Sequence, residues 1–211
     1  MKSSALLIVF AIYFLSVLNV SGQPDEKVQT NKVVLSKQSK LIIHGKTNVN
    51  NFSCHYTDVQ SLDTIEFIMS ANGEKAVFSH ALLNLYVKKF DCGNNLMNQD
   101  FQSLLQASKH PMISIEFLKF NRYKSLDGQL DIMDAGRVGY FDMAMEVAGF
   151  MKNTEVEVYN EKVNNQDIFF LCEVNLDIRD FGLEAPEKFM GLVKVNDEIS
   201  VELQLSFTLL P

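Results

Sequence analysis

Apolar residues recur with a period of two along most of this chain, and a chain patterned in that way is committed to strands. The clearest case is the last run, where Ile199, Val201, Leu203, Leu205, Phe207 and Leu209 oppose Ser200, Glu202, Gln204, Ser206 and Thr208. One face of that strand is apolar and the other is wet, the signature of an antiparallel sheet solvated on one side. Asp167 to Leu183 reads as a second long strand that runs into a turn. Cys172, Val174, Leu176 and Ile178 share its inward parity, whereas Glu173, Asn175, Asp177 and Arg179 share the outward one, so Arg179 belongs at a rim.

The same alternation places earlier strands at Lys32 to Leu35 and Lys40 to His44, with Gly45 ending the second. Thr47 to Phe52 is rich in side chains that bond the local backbone and reads as a structured loop. A strand over Thr64 to Ala71 puts Ile65, Phe67 and Met69 on one face, and Asn72-Gly73 turns the chain into a longer strand from Ala76 to Lys88. In that strand Val77, Ser79, Ala81, Leu83, Leu85 and Val87 form the better buried parity. Further strands follow at Ile113, Ile115 and Phe117, at Leu130 and Ile132, and at Phe141, Met143, Met145 and Val147; a shorter one holds Val156 and Val158.

Only Asn98 to Ser108 departs from a period of two. Phe101, Leu104 and Leu105 follow helical spacing, Asn98 stands as the cap, Asp100 falls in the first turn, and Pro111 stops the run. One short helix with an apolar stripe suits the covering of a sheet edge or end. Roughly eight to ten strands joined mostly by short turns, with a single helix among them, argue against a parallel α/β sheet and indicate an all-β antiparallel barrel or sandwich.

At the N-terminus, Lys2, an apolar run from Ala5 to Val20 and the small residues Ser21 and Gly22 have the order of a secretory signal peptide. The competing reading is an uncleaved anchor, since the run approaches the roughly 18 residues that span a bilayer. Cleavage after Gly22 is favoured because small residues end the run and no basic cluster follows it. Removing 22 residues of 211 leaves 189, one domain over 23–211, and takes away only Lys2 among the charged residues, so the net charge moves from −7 to −8. With that balance nucleic acid is not expected as a partner. No stable transmembrane span is expected once the signal is removed, and a homodimer is left open.

Three cysteines in a chain bound for an oxidising compartment imply one disulfide and one thiol. Cys54 and Cys92 sit in polar, turn-like surroundings and are expected to pair, leaving Cys172 buried in its strand as a small hydrophobe. The four histidines, His44, His55, His80 and His110, have no metal-ligand spacing, and neither a GxSxG elbow nor a phosphate loop occurs. Neither an enzyme nor a cofactor or metal centre is therefore expected.

Four segments taken together resemble the YceI-like family of secreted, lipocalin-like barrels: Gly45-Lys46-Thr47-Asn48-Val49-Asn50-Asn51-Phe52, His110-Pro111-Met112-Ile113-Ser114-Ile115-Glu116-Phe117, Gly128-Gln129-Leu130-Asp131-Ile132, and Arg179-Asp180-Phe181-Gly182-Leu183. In order and spacing they cover about Lys32 to Leu209. The threonine and the basic residue of the fuller family signature are absent after Leu130, and the Cys54 and Cys92 pair is similar to a variant of the family with cysteines in these two places. The resemblance implies an extended eight-stranded barrel, periplasmic or extracellular, whose interior holds a long isoprenoid chain such as a polyprenyl lipid or quinone.

An eight-stranded barrel either fills its interior with side chains or leaves room for one small ligand. The residues alone favour a filled barrel, and the resemblance reverses that preference. Phe67, Met69, Phe117, Met143, Met145, Val174, Leu176 and Phe207 are then the expected ligand-binding wall, since methionine and aromatic faces repack around a flexible hydrocarbon. Arg179 is expected at the rim, bonding turn carbonyls or an acidic neighbour while Gly182 frees the backbone; orienting a ligand head group is its alternative role. The alternative function is a ligand-free secreted barrel that acts through its outer surface on a protein partner.

Overall fold

A computed structural model describes residues 30–56, 64–123, 136–188 and 193–211. The expected signal segment, 1–22, and the strand expected at Leu130 and Ile132 lie outside these residues. The strands are β1 (Thr30–Leu35), β2 (Lys40–Lys46), β3 (Asn51–Tyr56), β4 (Ile65–Met69), β5 (Lys75–Tyr86), β6 (Phe90–Asp91), β7 (Met112–Arg122), β8 (Gly139–Val147), β9 (Phe150–Asn164), β10 (Asp167–Asp177), β11 (Glu187–Lys188), β12 (Val193–Lys194) and β13 (Glu198–Leu209). Among the described residues a single α-helix, α1 (Asn95–Leu104), lies between β6 and β7.

Every pairing in the main sheet is antiparallel, and eight strands close into a ring in the order β1-β4-β5-β7-β8-β9-β10-β13. The fold is an eight-stranded antiparallel barrel of lipocalin-like type. β13 closes it by serving two partners along one edge. Its residues Phe207 to Leu209 pair with β1, and Ser200 to Gln204 pair with β2, which carries β3 and β6 beyond it. Closure gives each of the eight ring strands a partner on both sides, and the sheet ends only where β2, β3 and β6 extend beyond the ring.

The strands are joined by turns whose residues suit them. Between β8 and β9, Ala148 and Gly149 both have positive φ (51° and 83°), the geometry of a two-residue turn that matches strand twist. Between β4 and β5, Asn72 Oδ1 accepts from Ser70 Oγ (2.7 Å) and from the Glu74 amide (3.1 Å), and Gly73 takes φ 71°. The expected loop begins as a turn at Thr47, whose Oγ1 accepts from the Asn50 amide at 2.9 Å, but Asn51 and Phe52 already belong to β3.

Several sequence-based expectations are corrected. Gly45 does not end β2 but lies inside it, because the Phe52 ring of β3 packs where its Cβ would stand, within 2.2 Å. β9 is 15 residues long rather than a short strand around Val156 and Val158, since it is paired along its length by β8 and β10. In β5 the buried parity switches: Ala76 is buried and Phe78 half-buried, Val77 is exposed, and Ala81, Leu83 and Leu85 are buried. A bulge between Val77 and Ala81, with His80 at φ 56°, makes the switch. α1 starts earlier than Asn98: Asn94 Oδ1 caps it by accepting from the Met97 amide at 3.0 Å, and the helix ends at Leu104, well before Ser108 and Pro111. Asn98 instead accepts from the Cys92 amide at 2.6 Å, and the first turn holds no acid.

Candidate functional site

The barrel has two ends of different character. At the end covered by α1, Leu41, Ile43, Ile113, Ile115, Met145, Leu176 and Val201 form a wall, and Phe52, Phe101, Leu104, Phe181 and Leu183 roof it over a cavity of about 100 Å³. Among the described residues of that lining, Asn196 is the single polar one. An adjoining pocket of about 210 Å³ shares Phe52, Phe101, Leu104 and Val195 with it and adds Thr47, Asn50 and Asp100 at its edge. The roof follows from local sequence. Ile178 to Phe181 form a 3-10 turn ended by Gly182 at φ 64°, which tucks Ile178, Phe181 and Leu183 inward.

At the far end phenylalanines dominate. Phe141 contacts Phe78, Phe117, Phe120 and Phe170 at ring-centroid distances of 6.1, 5.6, 5.0 and 5.3 Å, and Phe207 lies 6.4 Å from Phe117 and 6.1 Å from Phe170. These offset and edge-on arrangements suit aromatic quadrupoles. Below them a pocket of about 70 Å³ is lined by Phe67, Met69, Ile168, Arg122 and Glu161 with the lower faces of the rings. Between the two ends Phe117, Met143, Val156, Val158 and Cys172 are almost wholly buried, so the lumen is divided by packed side chains.

The eight expected wall residues therefore fall into three groups. Met145 and Leu176 line the helix-end cavity; Phe67, Met69 and Phe207 line the far pocket; Phe117 and Met143 pack in the middle, and Val174 is half-buried against the core. Met69 stands at the mouth and is 40% exposed. Sequence reasoning missed Phe120, Phe170 and the roof residues Phe52, Phe181 and Leu183, whereas the helical stripe had already set Phe101 and Leu104 over an end of the sheet. Phe170 was available by extending the Cys172 parity two residues upstream; Phe120 was not, because a bulge between Phe117 and Lys119 shifts the parity of β7.

Arg179 lies at the helix end and turns outward. Its Nε donates to Asp177 Oδ1 and Oδ2 at 2.9 and 3.0 Å, and Asp197 is 3.4 Å away. The Arg179 side chain and backbone amide together hold the Asp177 carboxyl down at about 2. A carboxyl depressed in the fold contributes stability above its ordinary pKa and loses it as pH falls toward 2. Arg179→Ala is expected to lower stability slightly and to leave ligand binding unchanged, which paired urea and binding titrations would check.

The expected disulfide is present between Cys54 and Cys92, although both cysteines are buried, Cys54 within β3 and Cys92 just after β6. Cys172 is a free buried thiol, and burial pushes its pKa far up. It should resist maleimide in the native protein and react only on unfolding, as intact mass would record; rapid native labelling would place it elsewhere. Among the described residues no group of three or more His, Cys, Asp or Glu side chains is arranged to hold a metal ion.

The YceI-like domain model matches residues 37–207, nearly the whole barrel. The chain belongs to the YceI-like family. Among solved structures, Burkholderia cenocepacia BcnA is similar to this YceI-like protein with a TM-score of 0.59 at 14% identity, over 82% of this chain and 98% of that one. A polyisoprenoid-binding domain from Saccharophagus degradans, implicated in plant cell wall breakdown, has a TM-score of 0.52 at 11% identity, over 83% and 97% of the two chains. At these identities the likeness is one of fold. No curated protein sequence matches the chain.

Proposed function

We propose that this YceI-like protein is a lipid-binding protein of an oxidising compartment, periplasmic or extracellular, that holds a long isoprenoid-type chain inside its barrel. The observation that carries the reading is the roofed cavity at the helix end, whose wall is apolar but for Asn196. A polar solute would lose its hydrogen bonds there, whereas an apolar one loses nothing. The disulfide fits an oxidising compartment. The polyisoprenoid binding named for the Saccharophagus degradans domain supports the choice of ligand.

Ligand pockets usually hold about 300–1,000 Å³, more than the helix-end cavity or its neighbour. A long chain therefore has to join the two through Phe52, Phe101 and Leu104 and displace rings of the aromatic band. Transfer of apolar surface from water at roughly 25 cal/mol per Å² supplies the driving force, and ordering of the chain opposes it. Displacement of a fluorescent apolar probe by a polyprenol tests the reading. Wild type should release the probe, and Val201→Phe, which fills the wall, should bind at least about tenfold more weakly. No release from wild type would contradict the proposal.

The packed aromatic band favours a second reading, in which the barrel stays empty and its outer surface meets a protein partner. Under that reading no apolar chain binds and Val201→Phe changes nothing.

A further inference from the structure

The far pocket carries a charged pair in an otherwise aromatic and aliphatic lining. Arg122, the last residue of β7, forks onto Glu161 of β9, with Nη1 2.6 Å from Oε2 and Nη2 2.9 Å from Oε1. Glu161 stands in register with Phe170, so its carboxylate lies on the lumen side, and its side chain is only 16% exposed. The Arg122 guanidinium sits 5.5 Å from the centre of the Phe120 ring. A half-buried ion pair of this kind adds little net stability, because the cost of desolvation offsets the attraction. Its placement at the mouth of an apolar lumen bears on what can enter.

We propose that Arg122 and Glu161 form a head-group site that accepts a neutral oxygen-bearing head, hydroxyl or carbonyl, and excludes an anionic one. This rests on the lumen being the lipid site. A guanidinium has five N–H donors, and the fork to Glu161 takes one from each terminal nitrogen. An oxygen lodged against the remaining edge gains a charge-assisted bond without disturbing the fork. Because Glu161 already neutralises the guanidinium, a phosphate or carboxylate in the same place would leave the half-buried pocket with one uncompensated negative charge, which is costly away from water. The net charge of −7 on the chain works in the same direction.

Farnesol and farnesyl phosphate share a chain and differ in head charge, so their displacement of a fluorescent apolar probe reads the site directly. Wild type should prefer farnesol by at least about tenfold. Glu161→Gln, which keeps the shape and removes the charge, should raise farnesyl phosphate affinity by about tenfold and move farnesol less than about threefold. Arg122→Lys, which keeps the charge and loses the fork, should weaken farnesol in particular, so the site remains testable if Glu161→Gln fails to fold. Equal displacement by both probes, or a ratio unmoved by Glu161→Gln, overturns the head-group site and leaves lipid binding standing. No displacement by either probe overturns both.

Discussion

Phe141→Ala is expected to cost about 3–5 kcal/mol of stability, the range for removing a fully buried phenylalanine. Phe141 has no exposure and touches four other rings, so its loss leaves a gap that rigid neighbouring strands cannot close. In a domain of this size each kcal/mol moves the Tm by about 2–4 °C. The same gap is dry and apolar, and it opens the packed middle toward the far pocket, so the variant should bind small apolar probes more tightly than wild type. Urea titration and probe titration on one preparation check both halves, with Phe141→Leu as the milder companion. A stability loss below about 1 kcal/mol would mean that the aromatic band is not packed around this ring.

Removing the Cys54–Cys92 bridge is expected to cost about 2–5 kcal/mol. The two cysteines are 38 residues apart, and closing a loop of that length restricts the unfolded chain by about 4 kcal/mol in the chain-entropy account. The bridge ties β3 to the segment that leads into α1, and both cysteines line the pocket beside the helix-end cavity. Its loss should therefore loosen the roof before the ring of strands. Hydrogen exchange of a Cys54→Ser, Cys92→Ser variant should show faster exchange in α1 than in β8 or β13, and an unchanged unfolding midpoint would contradict the expectation.

The barrel was legible in the sequence wherever a strand kept a strict period of two. β8 and β13 do so, and their buried hydrophobic side chains lie at the alternate positions named from the pattern, although Ser206, on the other parity of β13, is buried as well. Legibility failed where an extra residue enters a strand. The bulges in β5 and β7 reverse parity, so Phe78 and Phe120 face the lumen against the simple alternation. β9 was hidden because polar residues flank Val156 and Val158 on both sides, and its length comes from its neighbours rather than from its own composition. Asn94 and Asn98 offer the same capping chemistry, and what separates them is the Cys92 amide that occupies Asn98. The cysteine pair was read correctly although Cys54 lies within β3; Cys92, between β6 and the bend that leads into α1, has the turn-like setting its neighbours suggested. The site was less legible than the fold: alternation names lumen-facing residues, but it does not say which of them pack together and which border a cavity.

Whether the lumen holds one apolar chain is decided by native mass spectrometry of the protein after incubation with polyprenol vesicles. The spectrum should show a single additional mass per barrel, equal to one polyprenol, lost on denaturation and reduced in Val201→Phe. A spectrum showing only the bare chain, with organic extracts free of any long apolar molecule, would contradict it.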